Sequence, residues 1–367
     1  MKNIQNPLTH LVPNHDSSEP FIIAGPCSAE TREQVMATAD AMLGSGQVHL
    51  FRAGIWKPRT RPNSFEGIGE EGLPWLTEVK KKYNVPVATE VAKTSHIESA
   101  LKHNVDLLWV GARTTASPFA MQEIADALRG VDIPVLVKNP VNAELALWIG
   151  GMERLHQAGI TKIGAIHRGF SGIENTIYRN LPMWHLAMDL KRAHPEIPVI
   201  CDPSHICGKR EPISHVSQHA VDLNLDGVMI ETHINPDAAL SDSGQQLTPA
   251  SLKELLDNLV TKKEYSSKVQ FEQKLEYLRA KIDRLDDELV ELLKNRGQIS
   301  LEIGKLKQKE KVTVFQQGRL EELLELRKTS AAKKGVNPNM IEDIFKRVHT
   351  ESVELQCNLE FDENKEK

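Results

Sequence analysis

Cysteine is scarce: Cys27, Cys201, Cys207 and Cys357 are the only four in 367 residues, and no two form a CxxC pair. A disulfide scaffold is therefore not expected, and each thiol reads as a buried small hydrophobe or a ligand. No run approaches the ~18 consecutive apolar residues of a membrane span, and residues 1–20 lack the charged start and apolar core of a signal peptide. A cytoplasmic protein without membrane contact is the expectation. Excess charge of one sign is also missing: 45 Lys+Arg against 50 Asp+Glu give a net charge of -5. That balance offers no general basic surface to nucleic acid. Aromatic residues make up only 5%, but 40% hydrophobic and 26% charged residues are ordinary for a globular chain. The length exceeds twice the usual ~150-residue domain, so two domains or a barrel with an appendage are expected.

Proline is nearly absent from one end. Eighteen of the 19 prolines and eighteen of the 22 glycines precede residue 250, and Pro338 stands alone afterwards. Turn-forming residues punctuate short elements, so their absence implies long helices. The polar stretch TKKEYSSK (Thr261 to Lys268) separates the two regimes. The expected division is an extension over 1–20, a first domain over 21–262, a linker over 263–272, a helical domain over 273–358 and a flexible tail over 359–367.

In the first domain eight Val/Ile/Leu-rich runs recur, beginning with FIIAGPC, HLFRAGI, PVATEV and LLWVGAR and ending with GVMIETH, with helical patterns between them. Apolar strands without alternation imply a parallel sheet covered on both faces, and eight such units predict an α/β fold of the closed (β/α)8 TIM-barrel type. An open doubly wound sheet is the rival, but GPCSAE rather than a Gly-rich dinucleotide turn follows the first run. Each run ends in a polar side chain: Cys27, Arg52, Glu90, Arg113, Lys138, Arg168, Asp202 with His205, and Glu231. In such a barrel the strand ends converge on one face, which would gather these residues into one site.

Arg52, Lys57, Arg59, Arg113, Lys138 and Arg168 would crowd that face with cations, which repel and desolvate one another unless anions meet them. Phosphates and carboxylates suit the Arg forks. Cys27, His205, Glu231 and Asp242 combine a thiolate, an imidazole and two carboxylates, a donor set compatible with Mn, Fe, Co or Zn. A buried thiol and a core histidine are the plainer alternatives.

The stretches GPCS, KPRT, GAR, VKNP, HRG, DPSH and LSDSGQQ resemble 3-deoxy-D-arabino-heptulosonate 7-phosphate (DAHP) synthase of type I beta, over residues 21 to about 262. The resemblance implies one divalent metal on Cys27, His205, Glu231 and Asp242, and no organic cofactor. It implies phosphoenolpyruvate on Arg52, Lys57, Arg113, Lys138 and Arg168, erythrose 4-phosphate on Arg59 and Thr60, and proton handling by Lys57 and Glu90. The related octulosonate 8-phosphate synthases, which take arabinose 5-phosphate, are the alternative.

In the tail, Leu275, Leu278, Ile282, Leu285, Leu289, Leu292, Ile299, Ile303 and Leu306 follow alternating steps of three and four, with Arg296 in the seam. A cation within a leucine stripe calls for an anionic partner. Arg279 lies ~25 Å along the helix from Arg296, so a single straight helix cannot bring both to one ligand, whereas an antiparallel second copy can. LRAKIDRLDDELVELLKNR, EIGKLK, GRLEELL and TESVELQ resemble an AroQ-class chorismate mutase over 275–357. That resemblance implies an all-α three-helix domain that dimerises, within a homodimer or a higher homo-oligomer. It implies binding of chorismate or prephenate by Arg279, Arg296, Lys307, Arg319, Ser352 and Gln356, with Lys307 and Gln356 catalytic. Leu320 and Gln316 stand where relatives carry acids. Feedback by chorismate or prephenate on the barrel is the expected reason for the fusion, and a non-catalytic sensor or dimer clamp is the other reading of the tail.

Overall fold

The structure, a computed structural model, describes residues 1, 3–57, 65–172, 176–262 and 266–363, with side chains through residue 359. The chain divides into two compact units, Met1–Glu264 and Tyr265–Lys367.

The first unit is a closed barrel of eight parallel strands in sequence order. They are β1 (Phe21–Gly25), β2 (Leu50–Arg52), β3 (Val87–Val91), β4 (Leu107–Val110), β5 (Val135–Lys138), β6 (Ile163–His167), β7 (Val199–Cys201) and β8 (Gly227–Glu231). β8 closes on β1 in register, Phe21 opposite Gly227 and Gly25 opposite Glu231. The helices α1 (Pro7–Leu11), α2 (Arg32–Leu43), α3 (Leu73–Tyr83), α4 (Thr94–Lys102), α5 (Ala112–Thr115), α6 (Pro118–Ala127) and α7 (Leu145–Gln157) come first. They are followed by α8 (Trp184–Ala193), α9 (Pro203–Cys207), α10 (Ile213–Asp222) and α11 (Pro249–Asn258).

The strands are apolar throughout because both faces are buried. Phe21, Ile23, Leu50, Leu107, Trp109, Leu136, Ile166, Ile200 and Met229 fill the interior, while Ile22, Ala24, Phe51, Val110 and Val137 pack outward under the helices. The period-two pleat sorts neighbours to opposite sides.

The flexible extension expected for residues 1–20 is corrected in part. Asn6 caps α1 through the Leu8 amide with Pro7 in the first turn, and Leu8 packs into the interior cluster with Leu11 and Val12 against it. A side chain on Gly164 would collide with Leu136 and approach Pro7, so the missing Cβ makes room for this plug. The plug closes the end of the barrel opposite the strand termini that carry the polar residues.

The second unit consists of α12 (Val269–Lys309), α13 (Gln317–Lys333) and α14 (Pro338–Glu363). α12 starts inside the span expected as linker, and α14 runs into the span expected as tail. Only the second half of α12 buries residues, Ser300 and Gly304, against α14. Leu278, Ile282, Leu285, Leu289 and Leu292 of the α12 seam are 47–63% exposed within one chain. Among the described residues no helix is long and apolar enough to cross a membrane.

Candidate functional site

The barrel's polar residues converge at the strand ends. Gly25 ends β1 at φ 146°, and any Cβ there would lie 2.0 Å from the Arg52 carbonyl, so glycine lets the chain turn off the sheet to present Cys27. The Cys27 amide donates to Gln246 Oε1 (2.9 Å), and its carbonyl accepts from Arg52 Nη2 (2.9 Å). Arg52 also pairs with Glu231 Oε1 at 3.2 Å, both side chains buried, and lies 4.8 Å over the Trp109 ring. Lys57 Nζ contacts Cys27 Sγ and pairs with Asp242 Oδ2 at 3.0 Å. Glu90 accepts from Trp109 Nε1 at 2.9 Å, and a Cβ on Gly111 would sit 2.2 Å from the Glu90 carboxylate, so the GAR glycine is needed for that carboxylate's position.

On the far side, Lys138 Nζ pairs with Asp202 Oδ2 at 2.8 Å, both buried, and Asp202 holds His205 Nδ1 while capping α9. Arg168 Nη1 donates to Asn180 Oδ1 at 2.8 Å, and Asn180 Nδ2 donates to the His205 carbonyl at 2.6 Å. Burial, with the nearby charges of Arg179 and Arg113, lowers the Arg168 guanidinium to about 10 despite Asp202. A cation under that pressure is stabilised by an incoming anion.

The four candidate metal donors lie in two pairs. Cys27 Sγ is 3.4 Å from Asp242 Oδ2, and His205 Nε2 is 3.8 Å from Glu231 Oε1. Gln245 bridges them, donating to Glu231 Oε2 at 2.7 Å and accepting from Arg179, which also pairs with Asp242 Oδ1 at 3.2 Å. Among the described residues, no group of three or more His, Cys, Asp and Glu side chains is assembled as a ready cluster for an ion. The four donors expected to share one coordination sphere thus stand as two pairs linked through Gln245, with the Lys57 ammonium against both the Cys27 thiol and the Asp242 carboxylate. Burial and the Glu231 charge raise the Cys27 thiol to about 12. Burial opposes the charge of Lys57, but Cys27, Glu231 and Asp242 outweigh it and raise its pKa. Asp242 is held well below the carboxylate range against its burial, by Lys57 and His205, and sits at φ 45°, a left-handed conformation unusual outside glycine.

Arg59 and Thr60 lie outside the described residues. Arg113 stands in α5, three residues past β4, in electrostatic range of Arg168. Sequence reasoning missed Arg179, Asn180 and Trp109 as partners. Gln245 and Gln246 lie within LSDSGQQ and Asn139, whose Oδ1 accepts from the Arg168 amide at 2.7 Å, within VKNP, so their motifs could have flagged them, whereas nothing local marks Arg179 or Asn180.

In the helical unit Arg296 Nη1 donates to the Val348 carbonyl (3.3 Å) and contacts Ser352 Oγ. Lys307 Nζ donates to the Val314 carbonyl at 2.6 Å. Gln356 packs where a Cβ on Gly304 would come within 2.8 Å of its Cγ; its Nε2 donates to the Ser352 carbonyl at 3.1 Å, and its buried Oε1 has no partner. Arg296, Lys307, Ser352 and Gln356 therefore share one inward face. Arg279 and Arg319 do not join it: each is exposed and held by an acid three residues away, Glu276 at 2.7 Å and Glu322 at 2.6 Å.

Residues 12–268 match the DAHP synthetase I family, and residues 278–357 match chorismate mutase type II. The chain belongs to the DAHP synthetase I family. It is a two-domain enzyme, a DAHP synthase barrel followed by a chorismate mutase domain. A Thermotoga maritima protein named phospho-2-dehydro-3-deoxyheptonate aldolase is 34% identical over 238 residues, 65% of this chain and 68% of its own. The crystal structure of a DAHP synthase from that organism aligns with TM-score 0.58 and 32% identity, over 65% of this chain and 67% of its own. A Thiobacillus denitrificans 2-dehydro-3-deoxyphosphooctonate aldolase is 29% identical, over 65% of this chain and 88% of its own.

Proposed function

We propose that the barrel condenses phosphoenolpyruvate with erythrose 4-phosphate, giving DAHP and inorganic phosphate, and that the helical unit rearranges chorismate to prephenate. The observation that carries the first half is the gathering of Arg52, Lys57, Lys138 and Arg168 with a thiol, an imidazole and four carboxylates at the mouth of the barrel. The cations bind the phosphate and carboxylate of phosphoenolpyruvate. Its C3 attacks the aldehyde carbon, water adds at C2, and phosphate leaves by C–O cleavage as the guanidinium groups take up its charge. Lys57, kept protonated by its acidic neighbours, donates a proton to the developing alkoxide. Glu90, oriented by Trp109, accepts one from the attacking water.

Cys27, His205, Glu231 and Asp242 are the residues that would hold a divalent cation, and the mixed donor chemistry, with an acidic pair already compensated by a lysine cation, fits one. When bound it supplies Lewis-acid polarisation of the aldehyde oxygen. Cys27→Ala and His205→Ala should each lower the metal content found by elemental analysis as well as turnover, and full chelator-insensitive turnover would refute the assignment. Erythrose 4-phosphate and arabinose 5-phosphate offered in one assay test the sugar, which the octulosonate relatives keep open.

Chorismate needs no nucleophile, only a compact chair and stabilised charge on the ether oxygen. Arg296 meets a carboxylate, Arg319 joins it only by leaving Glu322 and turning inward, and Lys307 and Gln356 donate to the ether oxygen, the Gln356 amide turning its nitrogen inward. The apolar seam of α12 exposed in one chain supports a second copy antiparallel to it, which would bring Arg279 into its partner's site. Sedimentation of the intact chain tests the dimer. Prephenate or chorismate on the tail restrains the barrel in this reading, and an unchanged initial synthase rate with added prephenate refutes it. A chain that binds chorismate without converting it would leave the tail a sensor.

A further inference from the structure

The helical unit carries one more inward-facing titratable side chain, to which the mutase reading gives no task. His349 lies on α14 three residues before Ser352 and seven before Gln356, which places it on their face at successive turns. Its ring meets Phe315, next to the start of α13, edge-on with centroids 6.1 Å apart. Burial and the charges of Arg296 and Lys307, both on α12, hold its imidazole below the usual value. The ring is therefore neutral near pH 7, with one nitrogen available as an acceptor. Neither ring nitrogen has a hydrogen-bond partner among the described residues.

The other groups on this face are chiefly donors. Arg296 and Lys307 only donate, and the Ser352 hydroxyl already donates to the Val348 carbonyl at 2.9 Å. The first turn of α13 carries no acid, Gln316 and Leu320 stand at its start, and Glu321 and Glu322 are held by Gln317 and Arg319 of their own helix. A dicarboxylate fixed by cations still has to place any hydroxyl hydrogen, and a buried hydroxyl without an acceptor is costly. Among the described buried side chains of this unit Gln356 Oε1 is the one unpartnered acceptor, and it is lost to the ligand's hydroxyl once the amide turns its nitrogen inward.

We propose that His349 is a substrate-contacting residue of the mutase site, its neutral imidazole accepting a hydrogen bond from the hydroxyl of the bound dicarboxylate. This rests on the mutase reading of the unit. The test uses the full chain and an oxabicyclic dicarboxylate mimic of the rearranging chair, made with and without its ring hydroxyl. Calorimetry on the wild type should show the hydroxylated form binding roughly three- to tenfold tighter. His349→Phe, which keeps a ring against Phe315, should erase that preference and raise KM for chorismate more than it lowers kcat. His349→Gln, which keeps an acceptor, should restore part of it. A preference that survives intact in His349→Phe overturns the proposal, as does equal weakening of both forms, which would mark a packing role. A wild type that binds neither form and leaves chorismate unchanged overturns the mutase reading itself, and this inference with it.

Discussion

The two units solve the same electrostatic problem in opposite ways. In the barrel, Arg52 and Lys138 are buried beside Glu231 and Asp202 from the same chain, so charge and counter-charge fold together. In the helical unit Arg279 and Arg319 rest on neighbouring acids of their own helices, and the seam of α12 exposes its leucines. A closed sheet brings distant strand ends together within one chain, whereas a long helix keeps residues 17 positions apart ~25 Å apart, so that in the proposed dimer convergence would fall to a partner.

The sharpest way to break this contrast is Leu285→Asp on the exposed seam. It should dissociate the proposed dimer and lower mutase turnover at least about a thousandfold through loss of Arg279 from the facing site, with the synthase domain still folded. A monomer with full mutase activity by chorismate absorbance would show that the helical site is complete in one chain. Lys138→Ala should have the converse specificity. By leaving Asp202 buried without its lysine it should cost the barrel about 3–5 kcal/mol, seen as an earlier calorimetric transition while the mutase rate holds.

Gln356→Ala should lower mutase kcat by about a hundred- to a thousandfold without moving synthase kinetics, and a change in KM alone would remove it from the transition state. The smallest effect is one of pH. Burial lowers His167, enclosed by Trp148, Phe170 and Trp184, from 6.5 to about 4. The unfolded chain takes up a proton near pH 6.5 that the folded barrel refuses. The associated stability is thus present above that pH and lost as the pH falls toward 4, amounting to about 3 kcal/mol at most. His167→Phe should flatten that limb of the barrel's melting profile, and an unchanged slope would place the acid sensitivity elsewhere.

Much of this was legible in the chain. All eight expected runs became strands because a parallel barrel buries both faces and so writes unbroken apolar segments into the sequence. Lys138 and Arg168 could be read as site residues from their place at strand ends. Arg179 and Asn180 could not, since no local pattern shows that a loop after β6 will reach Asp242 and His205. The α1 plug was hidden in the same way: Asn6-Pro7 is a helix start in sequence, but that Leu8 enters the barrel depends on the space beside Gly164.

Periodicity and turn residues, which act over a few positions, thus determined by themselves that there would be eight short strands with their helices and then a long seamed helix. Which charges neutralise one another, how the metal-ligand candidates stand in pairs linked through Gln245, and which mutase residues meet in one chain were decided only by the tertiary structure. Coulomb and hydrogen-bond energies depend on distances in space, which separation along the chain does not set.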